Sequence, residues 1–257
     1  MNLFVEGIKY HLHAKKRQGI HSPFVYALVD EGLRKPISYQ YKKILASFDQ
    51  KQLKDRRKLS INDLGSGSKY LSNVRMIRDI HRISSSGKRY GEFLYKLCAH
   101  YQPERILELG TSLGRGTLAM HLGNPDARIV SIEGDASIAE FAQENIHEFS
   151  FDSNQIQLII SSFISFLEHN QHQTFDLVYI DGHHDGEALL QYMELISKVT
   201  HNNTLFVIDD IRWSSSMLKA WNQLQRQTRF HLSIDFFRMG LLSERPTQAK
   251  EHFVLTF

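Results

Sequence analysis

Cysteine is nearly missing from this sequence. Cys98 is the single one in 257 residues, so no intramolecular disulfide can form and a cysteine-based zinc site is excluded. No apolar run approaches the ~18 residues that a membrane span needs. The opening stretch, MNLFVEGIKYHLHAKKRQ, has neither a continuous apolar region nor a small-residue cleavage site, so no signal peptide is expected. Internal repeats and low-complexity segments are lacking too. No membrane partner is expected, and the cytoplasm is the default location. Charge of one sign is not in large excess, with a net charge of +3. The basic surplus lies mostly early, in KKRQ at 15–18 and between Lys51 and Lys58. Such a face can steer an acidic substrate or RNA, or it is the solvated side of a helix. No arginine–aromatic interleaving and no zinc-knuckle spacing adds weight to nucleic acid.

What is present is ordinary globular material. Hydrophobic residues make up 42% and charged residues 23%, which supports a sizeable core. The length fits one α/β domain with an N-terminal extension, or two small domains. From Ile106 onward, short β-rich runs alternate with helical patterns, the signature of parallel βαβ units. The runs are RILEL (105–109), RIVSI (128–132), IQLII (156–160), FDLVYI (175–180) and TLFVI (204–208). None alternates strictly with polar residues, as expected of strands buried on both faces. Apolar stripes at helical spacing separate them: Ile138, Phe141, Ala142 and Ile146, then Leu189, Met193 and Ile196, then Met217, Trp221 and Leu224. HLSIDFF (231–237), MGLLS (239–243) and HFVLTF (252–257) follow with no helix between them, which implies antiparallel hairpin pairing at the end of the sheet.

The first hundred residues read as mostly helical. SPFVYALVDEGL (22–33) starts with a serine N-cap and Pro23 at the first helical position. A linker-like SSSGK (84–88) precedes a helix over 90–101. Residues 1–85 contain few large apolar residues, and the expectation is a helical cap on a domain spanning 86–257.

The strongest local signal is ILELGTSLGRGT (106–117). A strand runs into a glycine-rich turn that opens a helix, so backbone amides and the helix N-terminus face a ligand. Gly110 permits the sharp turn and Gly114 a close approach. The next strand ends in Glu133, where a carboxylate can grip both hydroxyls of a ribose; the alternative is a surface carboxylate at a strand end. A dinucleotide site prefers G-x-G-x-x-G so that pyrophosphate can sit on the helix terminus. Here Glu108 stands two residues before Gly110. A carboxylate there repels pyrophosphate but suits a cationic amino-acid headgroup, which argues for S-adenosylmethionine over a nicotinamide. A second cluster, NDLGSGSKY (62–70), follows a polar stretch and precedes no strand ending in a carboxylate, so it reads as a loop.

The ordered segments LELGTSLGRGT, VSIEGD, FDLVYIDGHH and LFVIDDIRW, over about residues 88–243, resemble the motifs of class I S-adenosylmethionine-dependent methyltransferases. The likeness is greatest to the small-molecule O-methyltransferase branch that includes the catechol and caffeoyl-coenzyme A enzymes. The resemblance implies a Rossmann-like, doubly wound, mostly parallel sheet with an antiparallel C-terminal hairpin. It implies that Glu108, Gly110, Thr111, Ser112 and Gly114 line the methionine part of the cofactor. By the same resemblance Glu133 holds the ribose, Ser162 and Phe163 lie where such enzymes contact adenine, and Asp181 borders the cofactor. The N-terminal region departs from both named enzymes, so the resemblance carries no acceptor identity.

Cleft residues of such a fold lie at the carboxyl ends of the strands. Asp181, Gly182, His183 and His184 follow the fourth strand, and Asp209 and Asp210 the fifth. Carboxylate oxygens suit Mg²⁺, which can hold a substrate hydroxylate beside the methyl donor. Asp181, Asp209 and Asp210 are therefore the candidate metal ligands. Catechol-type enzymes use an Asp–Asn pair at the second position; the Asp–Asp pair here resembles sugar O-methyltransferases more. The competing reading has Asp181 ordering its loop and Asp209–Asp210 capping the next helix. His184 falls near the place where catechol-type enzymes carry a lysine base, and a neutral histidine can accept a hydroxyl proton at physiological pH. With 14 histidines in the chain, a solvated loop histidine is the alternative. Trp213 and Tyr90 can shape an aromatic acceptor pocket or simply pack.

The expectation is an S-adenosylmethionine-dependent O-methyltransferase with a small-molecule acceptor, His184 and Asp181 as catalytic residues, and optional Mg²⁺. A homodimer is compatible with it. An RNA (tRNA) methyltransferase is the second reading, motivated by the basic N-terminal region. A non-catalytic cofactor-binding module is the third. The NPPY-type motif of amino-methylating enzymes is missing after the fourth strand, where DGHH stands.

Overall fold

The computed structural model describes residues 3–14, 20–61, 74–84, 87–150 and 153–256. The KKRQ stretch, the 62–70 glycine cluster and part of the 84–88 linker lie outside these residues. The elements begin with helix α1 (Leu3–His13), α2 (Pro23–Tyr26, prolonged by a π-helical stretch Ala27–Leu33) and α3 (Tyr39–Lys54). Strands β1 (Lys58–Ser60) and β2 (Val74–Met76) come next, then helices α4 (Ile77–Ser84) and α5 (Gly87–Tyr101). The alternating part follows: β3 (Arg105–Leu109), α6 (Arg115–Gly123), β4 (Arg128–Glu133), α7 (Ala136–Phe149), β5 (Ile156–Ile160), α8 (Phe163–His169), β6 (Phe175–Ile180), α9 (Gly186–Ile196), β7 (Thr200–Ile208) and α10 (Ser215–Arg226). Strands β8 (Leu232–Phe236), β9 (Met239–Ser243) and β10 (Glu251–Val254) end the chain.

Contacts divide the chain into two compact units, Met1–Ala27 with Ile164–Phe257, and Leu28–Phe163. Residues 1–85 are shared between them. In the Leu28–Phe163 unit, β3, β4 and β5 lie side by side and parallel, with Glu108 opposite Ser131 and Ile132 opposite Ile159. Parallel neighbours need a crossover, and α6 and α7 provide the two. Strands β3 and β4 are buried along nearly their whole length, as their unbroken apolar runs require. Strand β5 departs from that expectation: it is an edge strand, and Ile160 is 53% exposed. Helix α5 crosses α6 closely, because a Cβ on Gly123 would lie 2.4 Å from the Tyr95 carbonyl oxygen. Beside that crossing Cys98 is wholly buried, and burial pushes its thiol pKa well up. The short antiparallel pair β1–β2 is an addition to the helical reading of this region.

In the other unit, β6 and β7 are parallel, with Val178 opposite Phe206. Strand β9 is antiparallel to both β7 and β8, which is the expected hairpin. The last strand corrects that expectation: β10 runs parallel to β8, with Glu251 opposite Leu232. The reason is where β9 ends. Ser243 lies opposite Leu232 at the start of β8, and the connection is held there by bonds from His231 N to the Glu244 carbonyl and from Glu251 N to the His231 carbonyl. A strand starting at that end can only run the same way as β8. The expected stripe on α10 is buried, and Trp221 lies against β9 where Gly240 leaves room; a Cβ there would sit 2.4 Å from the indole ring. Helix α1 is tied to this unit by Tyr10, whose hydroxyl donates to the Leu255 carbonyl and whose ring lies 5.2 Å from that of Phe237. Ser22 caps α2 as expected, accepting from Val25 N.

Candidate active site

In the Leu28–Phe163 unit, candidate residues gather at the carboxyl ends of three adjacent strands. The loop after β3 reverses through two left-handed glycines, Gly110 (φ 105°) and Gly114 (φ 87°), and through Ser112 (φ 48°). Gly110 N donates to the Ile132 carbonyl, which fixes the loop to β4. Helices α7, α9 and α10 each start under a capping side chain, Asp135, Asp185 and Ser214. Helix α6 does not: Gly114 stands at its N-cap with no side-chain bond. Uncapped amides at a helix N-terminus after a glycine turn are suited to a polar ligand.

Glu133 closes the loop from the end of β4. Its Oε2 accepts from Ser112 N at 2.9 Å and its Oε1 from Asp135 N at 3.1 Å. Burial raises its pKa, and these backbone donors pull the other way. A carboxylate has about four acceptor positions, and the amides of Ser112, Asp135 and Gly134 all act on this one. The half-buried group retains acceptor capacity beside the loop, which suits a ribose hydroxyl. Asp135 is committed as the α7 cap, accepting from Ile138 N at 2.9 Å. Ser162 is exposed and Phe163 half-buried, directly after β5.

Glu108 sits elsewhere than a ligand-facing position. It is fully buried, and its Oε2 accepts from the hydroxyls of Thr117 and Ser131. Ser131 in turn lies 2.6 Å from the Thr111 hydroxyl. In this conformation Glu108 ties helix α6 to β4, and through Ser131 to the loop. Burial, with a smaller push from the charge of Glu133, raises its pKa to about 7. Its Oε1 has no hydrogen-bond partner among the described residues.

A second layer behind the loop was not read from the sequence. Arg115, the first residue of α6, forms a bidentate pair with Asp49 of α3 (2.7 and 3.0 Å), and His81 of α4 lies 3.3 Å from the same carboxylate. Gly91 makes room for the guanidinium, since a Cβ there would meet Arg115 Nη1 at 1.8 Å. Asn145 joins Gln52 to the Leu113 carbonyl of the loop. These partners are scattered over five elements, and no spacing rule links them. Two cations of the early basic stretch are also committed: Lys51 pairs with Glu148, and Arg57 with Asp55.

In the other unit, the residues after β6 and β7 form one acidic cluster. Tyr179 donates to Asp181 at 2.9 Å and, more weakly, to Asp209 at 3.4 Å. Asp210 is left-handed (φ 52°) and its amide donates to Asp209 Oδ1. His184 Nε2 lies 3.9 Å from Asp181 and 3.8 Å from Asp210, and its ring lies 5.4 Å from that of Trp213, which is 58% exposed. Burial keeps His184 below the usual histidine pKa. Burial and the neighbouring carboxylates hold Asp181 well above the carboxylate range and Asp210 at about 7. His183 bonds Tyr192 instead, at 2.6 Å. Neither Asp209 nor Asp210 caps α10, which Ser214 does. Tyr90 lies half-buried on α5, in the Leu28–Phe163 unit.

The expected metal role of Asp181, Asp209 and Asp210 does not fit this donor set. The cation of the cluster is Arg238, from the β8–β9 turn. Its Nε lies 3.1 Å from Asp209 Oδ1 and 2.9 Å from Asp210 Oδ1, and its Nη2 donates to Asp210 Oδ2 at 3.1 Å. Both Asp210 oxygens face the guanidinium, and Asp209 is almost wholly buried with both of its oxygens bonded. Among the described residues no group of acidic, histidine or cysteine side chains is arranged to hold a metal ion.

Strands parallel in order, a glycine loop into an uncapped helix and an acidic residue one strand on define the class of fold. Residues 107–211 match the family model described as a methyltransferase domain. Two curated relatives are similar to it. The catechol O-methyltransferase of Mycobacterium tuberculosis is 27% identical over 134 residues, 52% of this chain and 59% of that protein. The catechol O-methyltransferase of Niastella koreensis is 30% identical over 125 residues, 47% of this chain and 55% of that protein. The chain thus spans a little under three fifths of the length of these relatives. Among solved structures, the O-methyltransferase TomG of Streptomyces achromogenes, in complex with SAM, shares the fold with a TM-score of 0.54 at 18% identity, covering 65% of this chain and 86% of that one. The O-methyltransferase of Bacillus cereus, in complex with SAH, does so with a TM-score of 0.55 at 16% identity, covering 85% and 94%. No helix of the described residues is long and apolar enough to cross a membrane.

Proposed function

We propose that this chain is an S-adenosylmethionine-dependent O-methyltransferase acting on a small hydroxylated acceptor. The observation that carries the reading is Glu133, braced by the amides of Ser112 and Asp135 and left with acceptor capacity beside the glycine loop. Gly110, Thr111, Ser112 and Gly114 hold the cofactor's methionine end, with Glu108 as the buried anchor of that loop. Glu133 takes the ribose hydroxyls, and Ser162 and Phe163 border the adenine. When bound, the cofactor supplies an electrophilic methyl group and leaves as a neutral thioether.

Asp181 and His184 are the catalytic residues of this reading. His184, held neutral by burial, takes the hydroxyl proton at Nε2 as the acceptor oxygen gains the methyl group. Asp181 and Asp210, with oxygens 3.9 and 3.8 Å from Nε2, face the imidazolium that results. Exposed Trp213 offers a ring face against which a planar acceptor stacks. The catechol O-methyltransferases similar to this chain are named for such an acceptor, and an aromatic diol is the first to try. The rest of the contribution is proximity and orientation. No step runs through a metal.

The test is transfer of a radiolabelled methyl group from S-adenosylmethionine to a panel of phenols, catechols, sugars and tRNA. Labelling of a small hydroxylated compound, lost in His184→Gln, supports the reading. Labelling of tRNA alone, or cofactor binding without transfer to any acceptor, overturns it.

A further inference from the structure

Three carboxyl groups that meet at two neighbouring strand ends gather negative charge; protonation gives part of the relief and a nearby cation the rest. Which cation supplies it decides whether the cluster depends on a metal. Arg238 reaches it from a turn that is fixed on both sides. On one side, Ile211 N donates to the Arg238 carbonyl at 2.9 Å, stitching the turn to the 209–213 loop. On the other, Arg212 makes a bidentate pair with Asp235 (2.8 and 2.7 Å), donates to the Phe237 carbonyl at 2.6 Å, and lies over the Phe237 ring. Phe237 itself is left-handed, with φ 72°. The guanidinium is therefore presented by a strained, pinned hairpin turn, not by a loose surface side chain, and it remains 27% exposed at the cluster.

The contact geometry is that of a bridging ion. One nitrogen, Nε, faces an oxygen of each of two carboxylates, and Nη2 takes the second oxygen of Asp210. A divalent ion bridging Asp209 and Asp210 needs those same oxygens. A guanidinium and a divalent ion cannot share them, since like charges at that distance repel. We propose that Arg238 is the resident cation of the acidic cluster, making the site metal-independent. As a positioning residue it holds Asp210 in its left-handed conformation, and with it the carboxylate that faces His184. The proposed methyl transfer enters only in one consequence, that turnover is insensitive to chelators.

The deciding measurement needs no acceptor and no cofactor. Mn²⁺ binding is followed by calorimetry and by electron paramagnetic resonance on wild type, Arg238→Gln, and Arg238→Gln combined with Asp210→Asn. Wild type is expected to take up no Mn²⁺ at millimolar concentration. Arg238→Gln is expected to bind Mn²⁺ at least about ten-fold more tightly than wild type, because the freed oxygens form a hard-ligand site, and the added Asp210→Asn is expected to remove that binding. Arg238→Lys keeps a charge and is expected to stay folded and to bind no Mn²⁺. Two results overturn the proposal. One is stoichiometric Mn²⁺ binding by wild type that Asp209→Asn abolishes. The other is a folded Arg238→Gln protein with no affinity for Mn²⁺. Should Arg238→Gln fail to fold, the wild-type titration and Arg238→Lys decide alone. A failed methyl-transfer assay leaves these outcomes untouched, so the two readings fall separately.

Discussion

Glu108→Gln tests whether the carboxyl beneath the glycine loop carries a strong pH dependence of stability. Its pKa rises from an ordinary 4.5 to about 7 in the fold, because it is buried and faces the charge of Glu133. An acid whose pKa is raised by folding binds its proton more tightly in the native state. The stabilisation is complete below the unfolded pKa and is lost as pH climbs through the folded one. With each pKa unit worth about 1.4 kcal/mol, the full loss is on the order of 3 kcal/mol, most of it between about pH 5 and pH 8. Glutamine does not titrate. Its carbonyl oxygen can still accept from Thr117 and Ser131, as Oε2 does now. The amide nitrogen falls where Oε1 has no partner among the described residues, so a fixed cost of about 1–3 kcal/mol is expected. Urea unfolding of both proteins at several pH values separates the effects. The fixed cost shifts the two curves apart by a constant, while the titration changes their gap. Wild type should lose about 2–3 kcal/mol more than Glu108→Gln on going from pH 5 to pH 8. Titrating groups that are not coupled to Glu108 cancel in this difference, Asp181 and Asp210 among them, and Glu133 contributes only through its coupling to Glu108. Parallel curves would place the Glu108 pKa in the ordinary range.

Glu133→Ala removes hydrogen bonds to a charged group worth ~1.5–3 kcal/mol, so affinity for S-adenosylhomocysteine should fall roughly 10- to 100-fold by calorimetry; an unchanged dissociation constant would free Glu133 of the ribose. Asp49→Asn breaks the bidentate pair with Arg115 and should cost about 1.5–3 kcal/mol at neutral pH. Bonds from His81 and Arg115 outweigh burial and hold the Asp49 pKa low, so the wild-type advantage in urea should persist at neutral pH and shrink as pH falls below the usual carboxylate range. Gly240→Ala drives a methyl group into the Trp221 ring and should lower stability by about 1–3 kcal/mol; an unaltered melting temperature would mean that the indole moves aside at no cost. For an acceptor found by methyl transfer, the acid limb of the pH–rate profile should lie below the usual histidine pKa of 6.5, and a limb above it would remove His184 as the proton acceptor.

The strands of the alternating part and their order were legible in the sequence. Unbroken apolar runs marked β3, β4, β6 and β7, because a strand buried on both faces has no room for polar alternation. Gly110, Gly114 and Glu133 were legible for the same kind of reason: a sharp turn and a strand-end carboxylate are local demands on residue type. Tertiary structure decided the rest. Glu108, a ligand-facing carboxylate by position, is the buried anchor of the loop, because Thr117 and Ser131 converge on it from two other elements. Strand β10 is parallel because β9 ends beside the start of β8, and pairing direction is a property of where chains meet. Asp209 and Asp210 carried a metal's residue types, yet the charge they answer is Arg238, from a turn 28 residues beyond Asp210. A carboxylate's chemistry can be read from the chain, but the identity of its counter-ion depends on which cation the fold brings within about 3 Å.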